Sequence, residues 1–141
     1  MKKLTYILLT IILTALLVSC GGPKGTPFPV NLIEANPNDP ASVVQAFFAA
    51  RSAFNTDVAL SYLTEDSQIV SREASSTGLA AAQKFIQKRV DKNYQFELSN
   101  VKASGNSVTF DFKVFQNGKS VQEGTGEAQV KDGKILVLNL Q

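Results

Sequence analysis

The chain has 141 residues, enough for one domain, and 44% of them are hydrophobic and 18% charged. These fractions are typical of a globular protein and exclude a disordered or collagen-like chain. The formal charge of +2 comes from Lys2 and Lys3, because Lys and Arg balance Asp and Glu from residue 20 onward. A near-neutral domain argues against binding to nucleic acid or another polyanion.

Residues 1–19 have the three parts of a secretory signal peptide. Lys2 and Lys3 are followed by an uncharged apolar run from Leu4 to Val18 and then by the small residue Ser19. The run is shorter than the roughly 20 residues that a membrane-spanning helix needs. The pattern therefore predicts a cleaved signal peptide and not a permanent transmembrane helix.

The end of that segment, Leu17-Val18-Ser19-Cys20, resembles the lipobox of bacterial lipoproteins. The resemblance implies cleavage between Ser19 and Cys20 and a lipid on the Cys20 thiol, so that a membrane is the first predicted partner. An ordinary secretory signal with an incidental cysteine is the alternative. Gly21 is not the aspartate that commonly retains lipoproteins in the inner membrane. We therefore expect anchoring on the outer face of a membrane, the outer one if the cell has two and the cell surface otherwise.

Residues 20–39 are predicted to be the lipidated N-terminus and a tether. All five prolines lie between residues 21 and 40, and glycines precede them near the cysteine, a composition typical of an extended linker. The tether also contains large apolar residues, which are unusual in a solvated linker: Phe28, Val30, Leu32 and Ile33. Docking on the domain and contact with lipid both account for them, and docking is favoured.

Hydrophobic periodicity predicts three helices at the start of a domain that covers residues 40–141. Asp39-Pro40 is a helix-start signal, and apolar residues at helical spacing extend a first helix to about Phe54. A short second helix is predicted from about Thr56 to Glu65-Asp66. Leu79 to Val90 has the spacing of a third helix.

The pattern changes to a period of two in the second half of the domain, which predicts strands. One short candidate strand, Gln68–Ser71, precedes a polar loop and the third helix, and four longer strands follow as a meander. A change of phase near Ser99-Asn100 suggests a bulge, and Asn117-Gly118 is a hairpin signal. The meander strands are predicted at residues 94–103, 108–114, 119–130 and 135–140.

The order of these elements and three local stretches, residues 42–50, 57–67 and 77–82, resemble the NTF2-like superfamily, which includes SnoaL-type polyketide cyclases and ketosteroid isomerases. The resemblance implies an α+β fold in which three N-terminal helices pack on a curved antiparallel four-strand meander plus one short strand. In that superfamily the sheet and helices form a cone, and the ligand pocket lies inside it.

The resemblance also implies where an isomerase of this type would keep its catalytic groups. The position of its helix tyrosine falls at Phe47 and that of its aspartate base at Ser71, while Glu127 lies near the position of a third carboxylic acid. Phenylalanine cannot donate a hydrogen bond and serine cannot act as a carboxylate base, so this proton-transfer mechanism lacks two of its groups.

Other common chemistries are excluded by residue type. The chain has no histidine, and its single cysteine is assigned to the lipid. Triads of Ser with His or of Cys with His are therefore impossible, and the commonest metal ligand is missing. No metal and no cofactor are predicted.

These observations favour a non-enzymatic binding or accessory module that takes a small apolar ligand or a protein partner, with homodimerisation through the sheet face as a further possibility. The alternative is a SnoaL-like or ketosteroid-isomerase-like enzyme that uses a pocket carboxylate, Glu127 or Asp111, on a small apolar substrate. The enzyme hypothesis requires one of these carboxylates inside the cone. Asp111 shares a strand face with Thr109 and Lys113, which favours a solvated outer surface for it.

The predicted pocket residues are Phe47, Arg51, Tyr62, Gly124 and Gly126. Arg51 has two interpretations, since its guanidinium can point inward at an anionic ligand or extend past Phe47 to solvent, and the second is favoured. The glycines either open a cavity or allow the strand to bend or a helix to approach closely, and bending or close approach is favoured. Tyr62 either meets a ligand or is a core tyrosine with its hydroxyl at the rim, which is the commoner case.

Overall fold

The computed structural model describes residues 28–141. The predicted signal peptide, the cleavage site at Ser19 and Cys20, and the first part of the predicted tether lie outside the described residues. Within the described part of the chain, no helix combines the length and the apolar character needed to cross a membrane.

Three helices precede most of the sheet, as predicted: α1 at Pro40–Ser52, α2 at Thr56–Ser61 and α3 at Leu79–Val90. Asp39 caps α1, because its carboxylate accepts a hydrogen bond of 3.1 Å from the Ala41 N–H. The third helix has the predicted bounds. The first ends at Ser52, and Phe54 adopts a positive φ of 58° as the chain leaves it.

Residues 28–141 contain six strands in one sheet, in the order β2-β1-β6-β5-β4-β3. Neighbouring strands are antiparallel except β1 and β6, which are parallel. The predicted α+β class, with helices on a curved and mainly antiparallel sheet, is confirmed, and the sheet has one strand more than predicted. The strands are β1 at Leu63–Ser71, β2 at Ser75–Thr77, β3 at Tyr94–Ser104, β4 at Ser107–Gln116, β5 at Lys119–Lys131 and β6 at Lys134–Leu140.

The boundary between α2 and β1 differs from the prediction. The helix ends at Ser61 instead of at Glu65-Asp66, and the strand begins at Leu63. Polar residues are tolerated here because the buried Ser67 hydroxyl donates to the Ile135 carbonyl at 2.6 Å and accepts from the Thr64 N–H at 2.7 Å. A serine thus satisfies the backbone across an irregularity in β1, which periodicity alone does not reveal.

The extra strand, β2, lies in the segment predicted to be a polar loop. Its residues pair with β1, with Gln68 opposite Thr77 and Val70 opposite Ser75. A short edge strand is held by backbone hydrogen bonds and exposes much of its surface, so it does not need a run of apolar side chains.

The meander confirms the turn chemistry read from the sequence. Asn117 and Gly118 both have positive φ, 53° and 77°, and they connect β4 to β5 with Gln116 opposite Lys119. Two positive φ values in a two-residue loop match the right-handed twist of the flanking strands. The register between β3 and β4 shifts between Ser99 and Lys102, which confirms the predicted bulge.

The core lies between the helices and the concave face of the sheet. Helix α1 is buried from Val43 onward except at Gln45, and its Phe48 ring contacts the rings of Phe47, Phe96 and Phe110 at centroid distances of 5.2–5.4 Å. A helix that is buried nearly all round occupies the middle of a domain and not its surface.

Residues 28–39, which we call the strap, run over the domain before α1. The side chain of Gln95, 1% exposed, accepts from the Phe28 N–H at 2.9 Å and donates to the Phe28 carbonyl at 2.7 Å. The Phe28 ring packs edge-on against Phe115 at 5.4 Å. The predicted docking of this apolar segment is therefore found at Phe28, whereas Leu32 and Ile33 are exposed.

Candidate functional site

A cavity of about 30 Å³ lies inside the cone, between the end of β1, helix α3 and the concave face of the sheet. We call it the cone cavity. It has room for about two water molecules or for one small head group. Its walls combine apolar rings and chains with four charged side chains, and its lining residues are Arg51, Ser71, Arg72, Glu73, Phe85, Arg89, Tyr94, Phe96, Phe112, Val114, Gln122 and Leu140.

Arg51 is the innermost charged residue of the cavity. It belongs to the last turn of α1 and is 2% exposed. Its guanidinium carbon lies 4.1 Å from the centre of the Phe96 ring and 5.2 Å from that of Phe48, close enough for cation–π attraction. Its Nη1 atom is buried and has no hydrogen-bond partner among residues 28–141.

The favoured prediction that Arg51 extends to solvent is wrong, because phenylalanine rings enclose its path on several sides. Besides Phe96 and Phe48, the rings of Phe47 and Phe85 lie 5.5 Å and 5.8 Å from the guanidinium carbon. The nearly uninterrupted apolar run from Val43 to Ala50 was a signal for this outcome, since a helix without a polar face leaves its arginine no route to water.

Burial lowers the pKa of Arg51 to about 9, and the positive charge of Arg89 contributes to the shift. The guanidinium still carries its charge at neutral pH. Cation–π contacts compensate part of the lost hydration, but no carboxylate among the described residues lies within ion-pairing distance of it. A buried cation without a carboxylate partner lowers the stability of the folded protein.

A second guanidinium faces the same cavity from α3. Arg89 lies over the Phe85 ring, with its guanidinium carbon 3.9 Å from the ring centre. Unlike Arg51 it has an anionic partner, since its Nη2 atom lies 3.3 Å from Glu73 Oε2. Three arginines and one glutamate line the cavity, so its interior attracts negative charge.

The two positions that the superfamily resemblance assigns to isomerase groups have separate roles here. Phe47 is fully buried and belongs to the core. Ser71 lines the cone cavity, but its hydroxyl donates to the Ala74 carbonyl at 2.9 Å and accepts from the Ala74 N–H. Ser71 thus stabilises the turn between β1 and β2.

Tyr62, Gly124 and Gly126 do not line the cone cavity. Tyr62 caps the C-terminus of α2 and packs against the core, at the opposite end of β1 from the cavity. A Cβ atom on Gly126 would overlap the Phe110 ring, and one on Gly124 would overlap the Gln141 carbonyl oxygen and lie 2.9 Å from the Phe112 ring. These glycines make room for phenylalanine rings and, at Gly124, for the Gln141 backbone, and neither of them borders the cone cavity.

Glu127 and Asp111 lie on the outer face of the sheet, in an open depression of about 530 Å³. Glu127 is exposed and accepts from the Ser107 hydroxyl at 3.2 Å. Asp111 accepts from the Asn100 amide at 2.6 Å. The enzyme hypothesis required one of these carboxylates inside the cone, and the sheet separates both of them from its interior. Among the described residues, no group of three or more His, Cys, Asp or Glu is placed to bind a metal.

Sequence comparison does not assign this chain to a family. No family model matches it, and no curated protein matches it.

Solved structures are more informative. An NTF2-like protein of unknown function from Cytophaga hutchinsonii is 18% identical, with a TM-score of 0.64 over 73% of this chain and 88% of that one. A provisionally named polyketide cyclase from Sinorhizobium meliloti is 24% identical, with a TM-score of 0.63 over 70% and 93%. A provisionally named ketosteroid isomerase from Kribbella flavida is 16% identical, with a TM-score of 0.64 over 72% and 75%.

Identities this low establish the fold and not an activity, because one fold hosts many functions. The described part of the chain has the NTF2-like fold.

Proposed function

We propose that this protein is a lipid-anchored envelope protein whose NTF2-like domain is a non-enzymatic binding module, and that the cone cavity holds the anionic group of a small ligand. The observation that carries the proposal is the buried Arg51 guanidinium, whose Nη1 atom has no hydrogen-bond partner among the described residues. It refines the hypothesis of a purely apolar ligand, because the cavity walls are apolar but its charges are mainly positive.

The alternative explanation for Arg51 is a purely structural role. A structural arginine in a core pairs with a carboxylate or donates to backbone carbonyls, because an unpaired buried donor costs about 1–3 kcal/mol and more when it is charged. The Nη1 atom of Arg51 does neither within residues 28–141. A ligand carboxylate in the cone cavity would supply the missing negative charge, because a guanidinium binds a carboxylate through charge-assisted hydrogen bonds.

Ligand binding is tested with the full chain, solubilised in a non-ionic detergent. Sodium benzoate and sodium hexanoate are expected to raise the midpoint of thermal unfolding, followed by circular dichroism, whereas benzamide and hexanamide, which have the same shape without the charge, are not. A ligand at 100 times its dissociation constant adds about 2.7 kcal/mol to the free energy of unfolding.

Two variants assign any shift to the cone cavity. Arg51→Met is expected to abolish it, and Arg51→Lys to weaken it, because an ammonium group keeps the charge but loses the planar fork of donors. Equal shifts from the amides and the acids, or no shift from either, would contradict the proposal.

The anchor is supported by the lipobox-like Leu17-Val18-Ser19-Cys20 and by the signal peptide before it. Cys20→Ala is expected to abolish labelling by radioactive palmitate and to leave the unprocessed precursor, because the cysteine supplies the thiol that takes the lipid. The matched control is Ser19→Ala, which keeps a small residue before the cut and should still be labelled and processed. Labelled, processed Cys20→Ala protein would show that the anchor lies elsewhere. Association through the outer sheet face stays a prediction.

A further inference from the structure

Arg51 and Arg89 approach the cone cavity from two helices and share one aromatic ring. The guanidinium carbon of Arg89 lies 3.9 Å from the centre of the Phe85 ring, and that of Arg51 lies 5.8 Å from the same centre. Both arginine side chains line the same cavity of about 30 Å³. A single carboxylate has two oxygens with about four lone-pair directions, enough to accept from both.

The carboxylate that pairs with Arg89 comes from an exposed turn. Glu73 lies between β1 and β2, and its side chain is 62% exposed, against 11% for Arg89. A pair with one partner in water is weak, because solvent screens the attraction and the glutamate loses side-chain freedom when it binds. Glu73 is therefore a displaceable partner for a guanidinium that is nearly buried.

We infer that the ligand is a small monocarboxylate held between Arg51 and Arg89, and that Glu73 is an internal competitor that the ligand displaces from Arg89. This inference rests on the proposed function and adds to it the class of ligand and a residue that sets affinity. Glu73 determines how strongly the cavity binds, because each ligand must replace the glutamate carboxylate at the second guanidinium.

The size and lining of the cavity restrict the ligand further. A space of about 30 Å³ admits a carboxylate group but not a polycyclic body. Around that space the walls are apolar, formed by Phe112, Val114 and Leu140 as well as by the phenylalanines near Arg51. The carboxylate group of a short aliphatic or aryl monocarboxylate fits this space, and its apolar body would lie against the apolar residues at the rim of the cavity. A multiply charged anion would leave negative charge against these apolar walls.

The experiment compares Glu73→Gln with the unaltered full chain in non-ionic detergent, with benzoate and inorganic phosphate as probes in calorimetric titrations. Glutamine keeps the size of the side chain and removes its charge. Benzoate affinity is expected to rise about two- to five-fold, the factor that corresponds to a weak exposed ion pair. Phosphate is expected to bind at least ten-fold more weakly than benzoate to both proteins.

Glu123→Gln is the matched control, because it removes the same charge from an exposed glutamate on the outer face of the sheet. It should change benzoate affinity by less than two-fold. The ¹⁵Nε resonance of Arg89 supplies a direct readout, and benzoate should shift it in the unaltered chain.

Two results separate this inference from the proposed function. If benzoate binds, and Arg51→Met abolishes binding, but Glu73→Gln binds no more tightly, then Glu73 is not a competitor and the inference is overturned while the proposed function stands. If neither the unaltered chain nor Glu73→Gln binds benzoate or phosphate, the proposed function fails and this inference with it. Stronger binding of phosphate than of benzoate overturns the assignment of a monocarboxylate.

Discussion

Arg51→Met is expected to make the protein more stable at pH 7, by about 1–4 kcal/mol, the range found when a buried ion pair is replaced by well-packed apolar residues. Methionine retains an unbranched apolar stem among the phenylalanine rings, removes the charge, and leaves no unpaired donor. Loss of the cation–π contacts offsets part of the gain. The free energy of unfolding from urea titrations measures the net effect.

The pH dependence of this difference follows from the lowered pKa of Arg51. Its pKa is about 9 in the folded protein, below its ordinary value, through burial and the charge of Arg89. Above pH 9 the unfolded chain therefore binds more protons at this group than the folded chain does, and stability due to the group rises with pH. At pH 7 Arg51 is charged in the folded protein, so the full free-energy cost of burying the charge applies. The advantage of Arg51→Met should shrink as the pH is raised from 8 to 10.

Arg72→Met is the matched control, because Arg72 also lines the cavity but is exposed at its mouth. It should change stability by no more than about 0.5 kcal/mol, as expected for a surface substitution. A large loss of stability in Arg51→Met would instead identify Arg51 as a structural residue, and the proposed binding site would then lose its main support. Gain of stability with loss of ligand binding is the pattern expected of a residue kept for function.

Gln95→Leu is expected to destabilise the protein by about 2–4 kcal/mol and to release the strap. The Gln95 amide makes two hydrogen bonds to the Phe28 backbone and a third, of 3.1 Å, to the Ser52 carbonyl. Leucine fills a similar volume but cannot donate a hydrogen bond to the buried Ser52 carbonyl. Each lost hydrogen bond removes about 0.5–1.5 kcal/mol of stability, and a buried carbonyl left without a donor adds a further penalty.

Urea titration gives the stability of Gln95→Leu, and limited proteolysis with a glutamate-specific protease reports on the strap itself. Glu34 is the one glutamate of the strap, and cleavage there should be faster in the variant. Gln116→Leu is the control, since Gln116 lies on the neighbouring strand and its amide makes one exposed hydrogen bond, to the Lys92 carbonyl. An unchanged cleavage rate at Glu34 in Gln95→Leu would show that other contacts hold the strap.

The meander and the third helix could be predicted from the sequence because local signals determine them. The alternation from Val108 to Val114, the Asn117-Gly118 turn and the spacing from Leu79 to Val90 each agree with the structure. The alternation that buries one face of a strand or helix, and the residues that allow a positive φ in a turn, are both determined within short segments of the chain.

The start of the sheet could not be predicted in the same way. Strand β1 depends on Ser67, whose hydroxyl bonds to Ile135, 68 residues later. Strand β2 depends on its pairing with β1. Neither partnership leaves a periodic pattern, because the stabilising contact is distant in the chain.

The site shows the same division. The face of Glu127 was open to prediction, since Ala128 and Val130 occupy the buried phase of β5 and place Glu127 in the exposed one. The apolar run of α1 was likewise a signal for a buried Arg51, although extension to solvent was the favoured interpretation. By contrast, the meeting of Arg51 with Arg89 and Glu73 joins α1, α3 and the turn after β1, and no local pattern predicts it.

The hold of Gln95 on Phe28 sets a geometric limit once a lipid is attached at Cys20, as proposed. Seven residues lie between the two positions, and the eight Cα-to-Cα steps span at most about 28 Å when fully extended. Gln95 fixes the Phe28 end of this segment on β3. The domain would therefore be attached to the membrane through one edge of its sheet, and its rotation relative to the membrane would be restricted. A lateral force on the domain would then act on the hydrogen bonds between Gln95 and Phe28 before it acted on the core. These bonds would break first and so protect the fold from forces transmitted by the bilayer.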